Sequence, residues 1–257
     1  PELRIWAERE LAKDCQRIIA ATEREKQDLI RYYDASPQTI AVIPCGVNLD
    51  LFQPVDKGSA RRQLGFDDDS IILFVGRIDP LKGIDRLLVA MTYLAKGQGL
   101  RLVVVGGDDH SEAEVERLQR LSQKLHIQDS VTFAGPVSQE ELPRYYSAAH
   151  VCVIPSYYES FGLVALESLA CGTPVVAAGV GGIESVVRQD ETGYIVKDNA
   201  PFRLADGIAA LLSRPDTGAQ SVSSTRASVL RFAWANIAEA IVEEYKLVLG
   251  NYAARLR

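Results

Sequence analysis

Short apolar runs rich in β-branched residues recur along the chain, separated by stretches in which apolar positions return every third or fourth residue. The runs are RIIAA (17–21), TIAVI (39–43), IILFV (71–75), RLVVV (101–105), VTFAG (131–135), VCVIP (151–155), PVVAA (174–178) and GYIV (193–196). Most are continuous rather than alternating, the pattern of parallel strands covered on both faces. Between them, GIDRLLVAMTYLA (83–95) sets Ile84, Leu87, Leu88, Met91 and Leu94 on one helical face, and EAEVERLQRLSQKL (112–125) and SQEELPRYYSAA (138–149) follow in the same style. Strand–helix alternation of this kind predicts an α/β fold with a doubly wound parallel sheet.

One boundary interrupts the alternation. PCGVNLDLFQPVDKGS (44–59) has turn formers, two prolines and no periodicity, so it reads as a linker. Residues 1–43 carry a helix, a strand, a second helix and a strand, too little for a domain. About six strand–helix units follow the linker, enough for a complete one. SVLRFAWANIAEAIVEEYKLVLG (228–250) is a long amphipathic pattern expected to break into two helices near Ala233–Trp234. The expected organisation is a remnant of another domain in 1–43, an intact domain in 44–230, and a terminal helix in 231–257 that returns to the missing half. The chain opens on Pro1 rather than Met and reads as a piece of something longer.

Composition narrows the chemistry. Hydrophobic residues are 47% of the chain, enough for a sizeable core, and a net charge of -6 argues against a broad nucleic-acid or anionic-membrane surface. An anionic ligand must then be held by a few local cations or by backbone donors. No run approaches the roughly 20 apolar residues of a transmembrane helix, and the N-terminus has no signal-peptide pattern. Cys15, Cys45, Cys152 and Cys171 are scattered without a C-x-x-C pair, which reads as reduced thiols of a cytoplasmic protein. His110, His126 and His150 share no metal-ligand spacing, so neither a metal nor a cofactor is expected.

In open α/β sheets, ligands bind beyond the carboxyl ends of the strands. The segments there are GRIDPLKG (76–83), GGDDHSEAE (106–114), GPVS (135–138), SYYESFG (156–162) and GVGGIE (179–184), which together form one rim. Arg77 and Lys82 on one short loop suit a phosphate or diphosphate, although two solvated charges at a strand end would look the same. The loop is no P-loop, because Lys82 precedes Gly83 and no Ser or Thr follows. GVGGIE fails the dinucleotide fingerprint, its third position falling on Glu184, which disfavours a dehydrogenase. Gly181–Gly182 are expected to open a helix over 183–189 with backbone N–H groups free for an anion.

Glu159 and Glu167 stand eight positions apart in SYYESFGLVALESLACGTPVV (156–176). A helix is expected to start near Ser160 or Phe161 and to stop at Gly172, with Glu159 in the loop before it and Glu167 inside it. Eight helical residues rise about 12 Å, similar to a diphosphate flanked by two sugars. Free N–H groups at Phe161, Gly162 and Leu163 would meet the anion, Gly162 would let the ligand approach the backbone, and the carboxylates would accept from hydroxyls on either side. The plainer alternative makes Glu159 an acid favoured near a helix start and Glu167 a surface residue. Glu167 is nevertheless flanked by Val164, Ala165, Leu166, Leu169 and Ala170, where a carboxylate is costly without partners.

At these residues the chain resembles the retaining GT-B glycosyltransferases of family 4. Glu159 to Glu167 matches the family's E-x7-E motif, VGRIDPLKG its Arg/Lys diphosphate loop, ACGTPVVAAGVGG the segment after E-x7-E, and VIPCGVNLDLFQP its interdomain linker. The match covers essentially the whole chain and is most similar to the group containing sucrose-phosphate synthases and the mycothiol-pathway glycosyltransferase that uses inositol phosphate. The resemblance implies two Rossmann-like domains around a cleft, this chain being the C-terminal, donor-binding half. Its donor would be a nucleotide sugar of the UDP-linked kind, with the base contacted largely through main chain. By carry-over, Arg77 and Lys82 neutralise the diphosphate, Glu159 binds hydroxyls of the transferred sugar, and these three are the expected catalytic residues. Glu167 binds the ribose hydroxyls. Gly76, Ser160 and the backbone of Phe161, Gly162 and Leu163 meet the phosphate and sugar, and Gly135, Pro136 and Val137 contact the base. The family's N-terminal domain, with its acceptor pocket, has no counterpart here, so the chain alone is expected to bind donor weakly and transfer little. The family often reads G-G-x-P-E where this chain has Gly181-Gly182-Ile183-Glu184-Ser185. A non-catalytic nucleotide-sugar-binding module that regulates a partner is the alternative.

Overall fold

The computed structural model describes residues 2–66, 69–94, 99–108, 110–214 and 219–255. In chain order the elements are α1 (Glu2–Asp14), β1 (Ile18–Ala20), α2 (Glu23–Tyr33), β2 (Ile40–Val42), α3 (Lys57–Leu64), β3 (Ser70–Val75), α4 (Ile84–Met91), β4 (Leu100–Val105) and α5 (Glu112–Lys124). They continue with β5 (Val131–Gly135), α6 (Leu142–Ala148), β6 (Val151–Ile154), α7 (Leu163–Ala170), β7 (Val175–Ala178), β8 (Gly193–Val196), α8 (Pro201–Leu212), α9 (Ala219–Ala227) and α10 (Trp234–Arg255). Each expected apolar run forms a strand within a residue or so of its predicted ends. The chain divides into two compact units, Pro1–Val47 with Arg231–Arg257, and Asn48–Leu230.

The first unit is small. β1 and β2 pair in parallel with Ile18 opposite Ile40, and Val47 N–H donates to the Phe232 carbonyl. Its buried core is thin, made of residues such as Ala20, Ala35, Ile40, Ile43 and Ile237. Leu3, Trp6, Leu11, Ile19 and Tyr245 are exposed apolar side chains of the same unit.

The second unit carries a six-stranded parallel sheet in the order β5-β4-β3-β6-β7-β8. Counted within the unit this is 3-2-1-4-5-6, the order of doubly wound dinucleotide-binding sheets. Successive side chains of a strand point to opposite faces. Ile72, Leu102, Val104 and Val153 share one buried cluster with Leu88 of α4, Leu118 of α5 and Ile208 of α8. The opposite face is covered by α6 and α7, which contact β3 and β6 respectively, with α3 packed on α6 and α9 on α7. With both faces covered, the strands have no polar side, which is why the runs are continuous.

Two elements depart from the pattern read along the chain. The segment 44–59 is not wholly a linker: Asp56 accepts from the Ser59 N–H and starts α3 at Lys57. The helical pattern of 83–95 is regular only as far as Met91, and residue 95 lies outside the described residues.

Order reverses between β3 and β6, and there the sheet opens. β3 pairs with β4 along all six of its residues, Ser70 to Val75, but with β6 only at Ile72–Val151 and Leu73–Cys152. Phe74 and Val75 have no partner on β6, so the two strands part towards their carboxyl ends. The other side of the rim is tight. Gly106 N–H donates to the Gly135 carbonyl at 2.9 Å, and a Cβ on Gly106 would lie 1.8 Å from the Gly76 carbonyl oxygen.

Gly106→Ala is expected to destabilise the protein more than Gly65→Ala. Both positions have positive φ, 132° and 73°, but only Gly106 would also drive its new carbon into backbone, since nothing lies within 4 Å of a Cβ at Gly65. The φ cost alone is about 1–2 kcal/mol for an L-residue. Urea denaturation of the two variants measures the difference; equal losses would contradict the close approach of Gly76 and Gly106.

Candidate active site at the strand crossover

The loops that leave β3 and β6 flank the gap between these strands and are stitched together across it. Tyr157 N–H donates to the Leu81 carbonyl at 2.9 Å. A Cβ on Gly83 would lie 2.1 Å from the Pro155 carbonyl oxygen, which also accepts from Asn199 Nδ2 at 3.1 Å. Arg86 Nε donates to Tyr157 Oη at 2.7 Å. Ser156, in the middle of the second loop, is buried, and its hydroxyl is the one buried hydroxyl among the described residues without a hydrogen-bond partner.

Lys82 and Glu159, separated by 77 residues, meet here: Lys82 Nζ donates to Glu159 Oε2 at 2.9 Å. Their side chains are only 22% and 15% exposed, so the pair is shielded more than a surface ion pair. Asp79 sets the loop geometry by accepting from the Leu81 N–H at 2.8 Å, which starts the short 3-10 turn that carries Lys82. Arg77, on the same loop, is exposed and has no ion pair or side-chain hydrogen bond among the described residues. Gly76 precedes it with φ 153° and donates its N–H to the Val105 carbonyl.

Helix α7 begins beside Glu159, at Leu163 rather than at Ser160 or Phe161. Its cap is Gly162, at φ 101° and ψ 49°, with no side-chain capping bond. This corrects two expectations. Only the second half of the Glu159–Glu167 interval is helical, so a 12 Å helical rise does not set the spacing of the carboxylates. The space beside Gly162 is filled by protein rather than left for a ligand, because a Cβ there would lie 2.7 Å from Ile183 Cδ1. Gly162 is needed for its backbone angle and for that packing. The N–H groups of Gly162 and Leu163 nevertheless donate to no acceptor among the described residues. An uncapped helix N-terminus favours an anion.

GVGGIE also differs from expectation. Only Ile183–Ser185 are helical, as a single 3-10 turn, and the Gly182 N–H is spent on the Ser160 carbonyl at 3.1 Å. A Cβ on Gly181 would lie 1.3 Å from the Glu159 carbonyl oxygen. Gly181 makes room for the Glu159 carbonyl and Gly182 donates to the Ser160 carbonyl, so both buttress the backbone of Glu159–Ser160, and the Gly182 amide is not free for an anion.

Glu167 is half-buried on α7, and Tyr146 Oη donates to its Oε2 at 2.7 Å. Burial pushes the Glu167 carboxyl above the ordinary glutamate range, and the Tyr146 hydrogen bond opposes that shift. Tyr146 is wholly buried, and burial together with the nearby Glu167 raises its phenol well above the usual value. Tyr146 was not singled out along the chain: in PRYYSAA it looks like one more apolar position of an amphipathic helix. Gly135, half-buried Val137 and exposed Pro136 sit where β5 ends, on the outermost strand of the same rim. Ser160 is exposed and Phe161 buried. The structure thus brings Lys82, Glu159 and the start of α7 together at the crossover, leaves Arg77 open beside them, and ties Glu167 to α6. Among the described residues no group of three or more His, Cys, Asp or Glu side chains is placed to hold a metal ion.

A family model described as "Glycosyl transferases group 1" matches residues 56–227. The chain belongs to this family. A second model, "Glycosyltransferase Family 4", matches residues 1–51 of this group 1 glycosyl transferase. The chain is 42% identical, over 98% of its length, to the D-inositol 3-phosphate glycosyltransferase of Acidothermus cellulolyticus, and spans 57% of that protein. It superposes on sucrose-phosphate synthase from Thermosynechococcus elongatus with a TM-score of 0.88 and 38% identity, over 98% of this chain and 63% of that one. Anabaena HepE, solved in complex with UDP and glucose, shares the fold at a TM-score of 0.82 and 23% identity, over 92% of this chain and 64% of that one.

Gly181→Ala is expected to displace the Glu159–Ser160 backbone while leaving the sheet in place. Amide chemical shifts should move at 156–162 and 181–185 and hold through the strands. Unchanged shifts at Glu159 and Ser160 would contradict the buttressing role.

Proposed function

We propose that the protein is a retaining GT-B glycosyltransferase that moves a sugar from a nucleoside-diphosphate sugar, UDP-linked, to an acceptor hydroxyl, and that this chain carries its donor site. One observation carries the reading: Lys82 and Glu159 of the two expected motifs meet at the crossover, beside the uncapped start of α7. Lys82, Arg77 and the amides of Gly162 and Leu163 offer positive charge and hydrogen-bond donors to the diphosphate. Glu159 accepts from hydroxyls of the transferred sugar, Glu167 from the ribose, and the backbone at Gly135, Pro136 and Val137 meets the base. Gly76 and Ser160 complete the donor contacts, and Phe161 anchors the loop from its buried position. UDP is the choice of nucleotide because HepE, of the same fold, was solved with it.

In the reaction, the bond from the sugar's anomeric carbon to the β-phosphate oxygen breaks while the acceptor oxygen bonds to that carbon on the same face. The acceptor's proton passes to an oxygen of the departing diphosphate, so anomeric configuration is retained. The protein's main contribution is to stabilise the charge that develops on the leaving diphosphate. The Lys82 ammonium is held by Glu159. A diphosphate takes over that ammonium, and the released carboxylate turns to the sugar, so one event exchanges both partners.

The acceptor pocket belongs to the further length found in the relatives, and the exposed apolar residues of the first unit fit burial against it. Among the described residues no helix is long and apolar enough to cross a membrane. The free thiols, two of them buried, support a cytoplasmic location.

Titration calorimetry with UDP and a donor-hydrolysis screen of the intact protein against nucleotide sugars test the reading. Lys82→Ala should weaken UDP binding roughly 10- to 100-fold, the worth of one hydrogen bond to a charged group. Glu159→Gln, which frees Lys82, should not weaken UDP but should depress transfer. UDP binding that is indifferent to Lys82 would refute the proposal.

A further inference from the structure

Glu167 has one carboxylate oxygen committed and one free: Oε2 accepts from Tyr146, and Oε1 has no hydrogen bond among the described residues. The tyrosine that holds it is itself held. Its side chain is fully buried, so its single hydroxyl proton cannot turn to water. Its ring stands edge-on to Phe52, with centroids 6.1 Å apart and planes at 66°. Its carbonyl accepts from Thr173 Oγ1 at 2.6 Å, and the Thr173 carbonyl accepts from Ser168 Oγ at 2.9 Å. Ser168 is the residue next to Glu167, so the clasp joins α6 to α7 at the position where the carboxylate leaves the helix.

We propose that Tyr146 is a positioning residue that locks Glu167 in one orientation and leaves Oε1 as the acceptor for the ribose hydroxyls of the donor. The proposal rests on the ribose-binding reading of Glu167. A buried carboxylate with no donor would be costly as an anion and would take up a proton, which turns an acceptor into a donor. The Tyr146 hydroxyl opposes this, because it donates to Oε2 and so favours the charged carboxylate against the effect of burial. The titratable and charged groups that face Glu167 come from several elements. Tyr146 on α6 is raised well above its ordinary value, the Cys152 thiol on β6 is pushed up by burial to about 12, and the Cys171 thiol beyond α7 is pushed higher still. From α9, Arg226 lies near Cys171. β7 presents only Val and Ala.

Calorimetry with UDP on the intact protein tests this, from pH 5.5 to pH 8.5, for the wild type, Tyr146→Phe, Glu167→Gln and the double variant. Tyr146→Phe removes a bond that favours the charged carboxylate, so the Glu167 pKa rises and binding should fail at a higher pH than in the wild type. The expected loss is roughly tenfold at the acid end of the range, the worth of one hydrogen bond to a charged group, and smaller at the alkaline end. In the Glu167→Gln background the same change should have no further effect, because its action runs through Glu167. A loss that is equal at all pH values and persists in that background marks a structural role and overturns the proposal, as does no loss. If Glu167→Gln alone leaves UDP binding intact, the ribose reading falls and the proposal with it, whereas an effective Glu167→Gln beside a silent Tyr146→Phe removes only Tyr146. Should Tyr146→Phe not fold, the wild type supplies a readout. The Tyr146 hydroxyl proton should exchange slowly and give a resolved NMR signal that shifts as Glu167 protonates, and rapid exchange with water overturns the proposal.

Discussion

The early parting of β3 and β6 is the constraint on which the rest of the site depends. Two parallel strands paired at only two positions cannot close their carboxyl ends with ladder hydrogen bonds, so the loops beyond them must do it. They do so by backbone contact at Gly83 and Pro155, by the Tyr157–Leu81 hydrogen bond, and by one ion pair between Lys82 and Glu159. Glycine is required where these segments cross, because a side chain at Gly83 or Gly181 would collide with a carbonyl oxygen. The same crossing brings the amino end of α7 to the gap, with the amides of Gly162 and Leu163 unmet among the described residues.

Charge is concentrated at that gap in an otherwise acidic protein. The chain carries a net charge of -6, so long-range attraction does not draw an anion to it. Binding must come from local donors, and two cations with an uncapped helix end are a sufficient set. The ion pair has a second consequence. An unpaired ammonium in a partly buried site would be costly, and Glu159 supplies its partner.

Much of this was legible along the chain, and the exceptions share a cause. The strands were visible because burial on both faces makes a parallel strand continuously apolar, as in IILFV and RLVVV. The break before Trp234 was visible too, since α10 begins at that residue, but the stretch before it forms only a 3-10 turn, Leu230–Phe232, instead of the first of two expected helices. What the pattern hides is backbone conformation. The start of α7 was placed at Ser160 or Phe161 on composition, but Gly162 holds a left-handed conformation and delays it to Leu163. Gly181–Gly182 resembled a helix opening, yet Gly181 makes room for the Glu159 carbonyl and Gly182 donates to the Ser160 carbonyl, contacts between segments some twenty residues apart. Tyr146 was hidden by its own chemistry, since a buried phenol reads as one more apolar position until its partner is known. The pairing of Lys82 with Glu159 could be inferred only from a resemblance between motifs, not from either loop alone.

The most direct measurement is a crystal structure of the intact protein with UDP bound. The account predicts a diphosphate oxygen within hydrogen-bonding distance of Lys82 Nζ and of the Gly162 or Leu163 amide, the Lys82–Glu159 pair broken, and the ribose hydroxyls against Glu167 Oε1. A nucleotide seated elsewhere on the sheet, or bound with the Lys82–Glu159 pair intact, would contradict it.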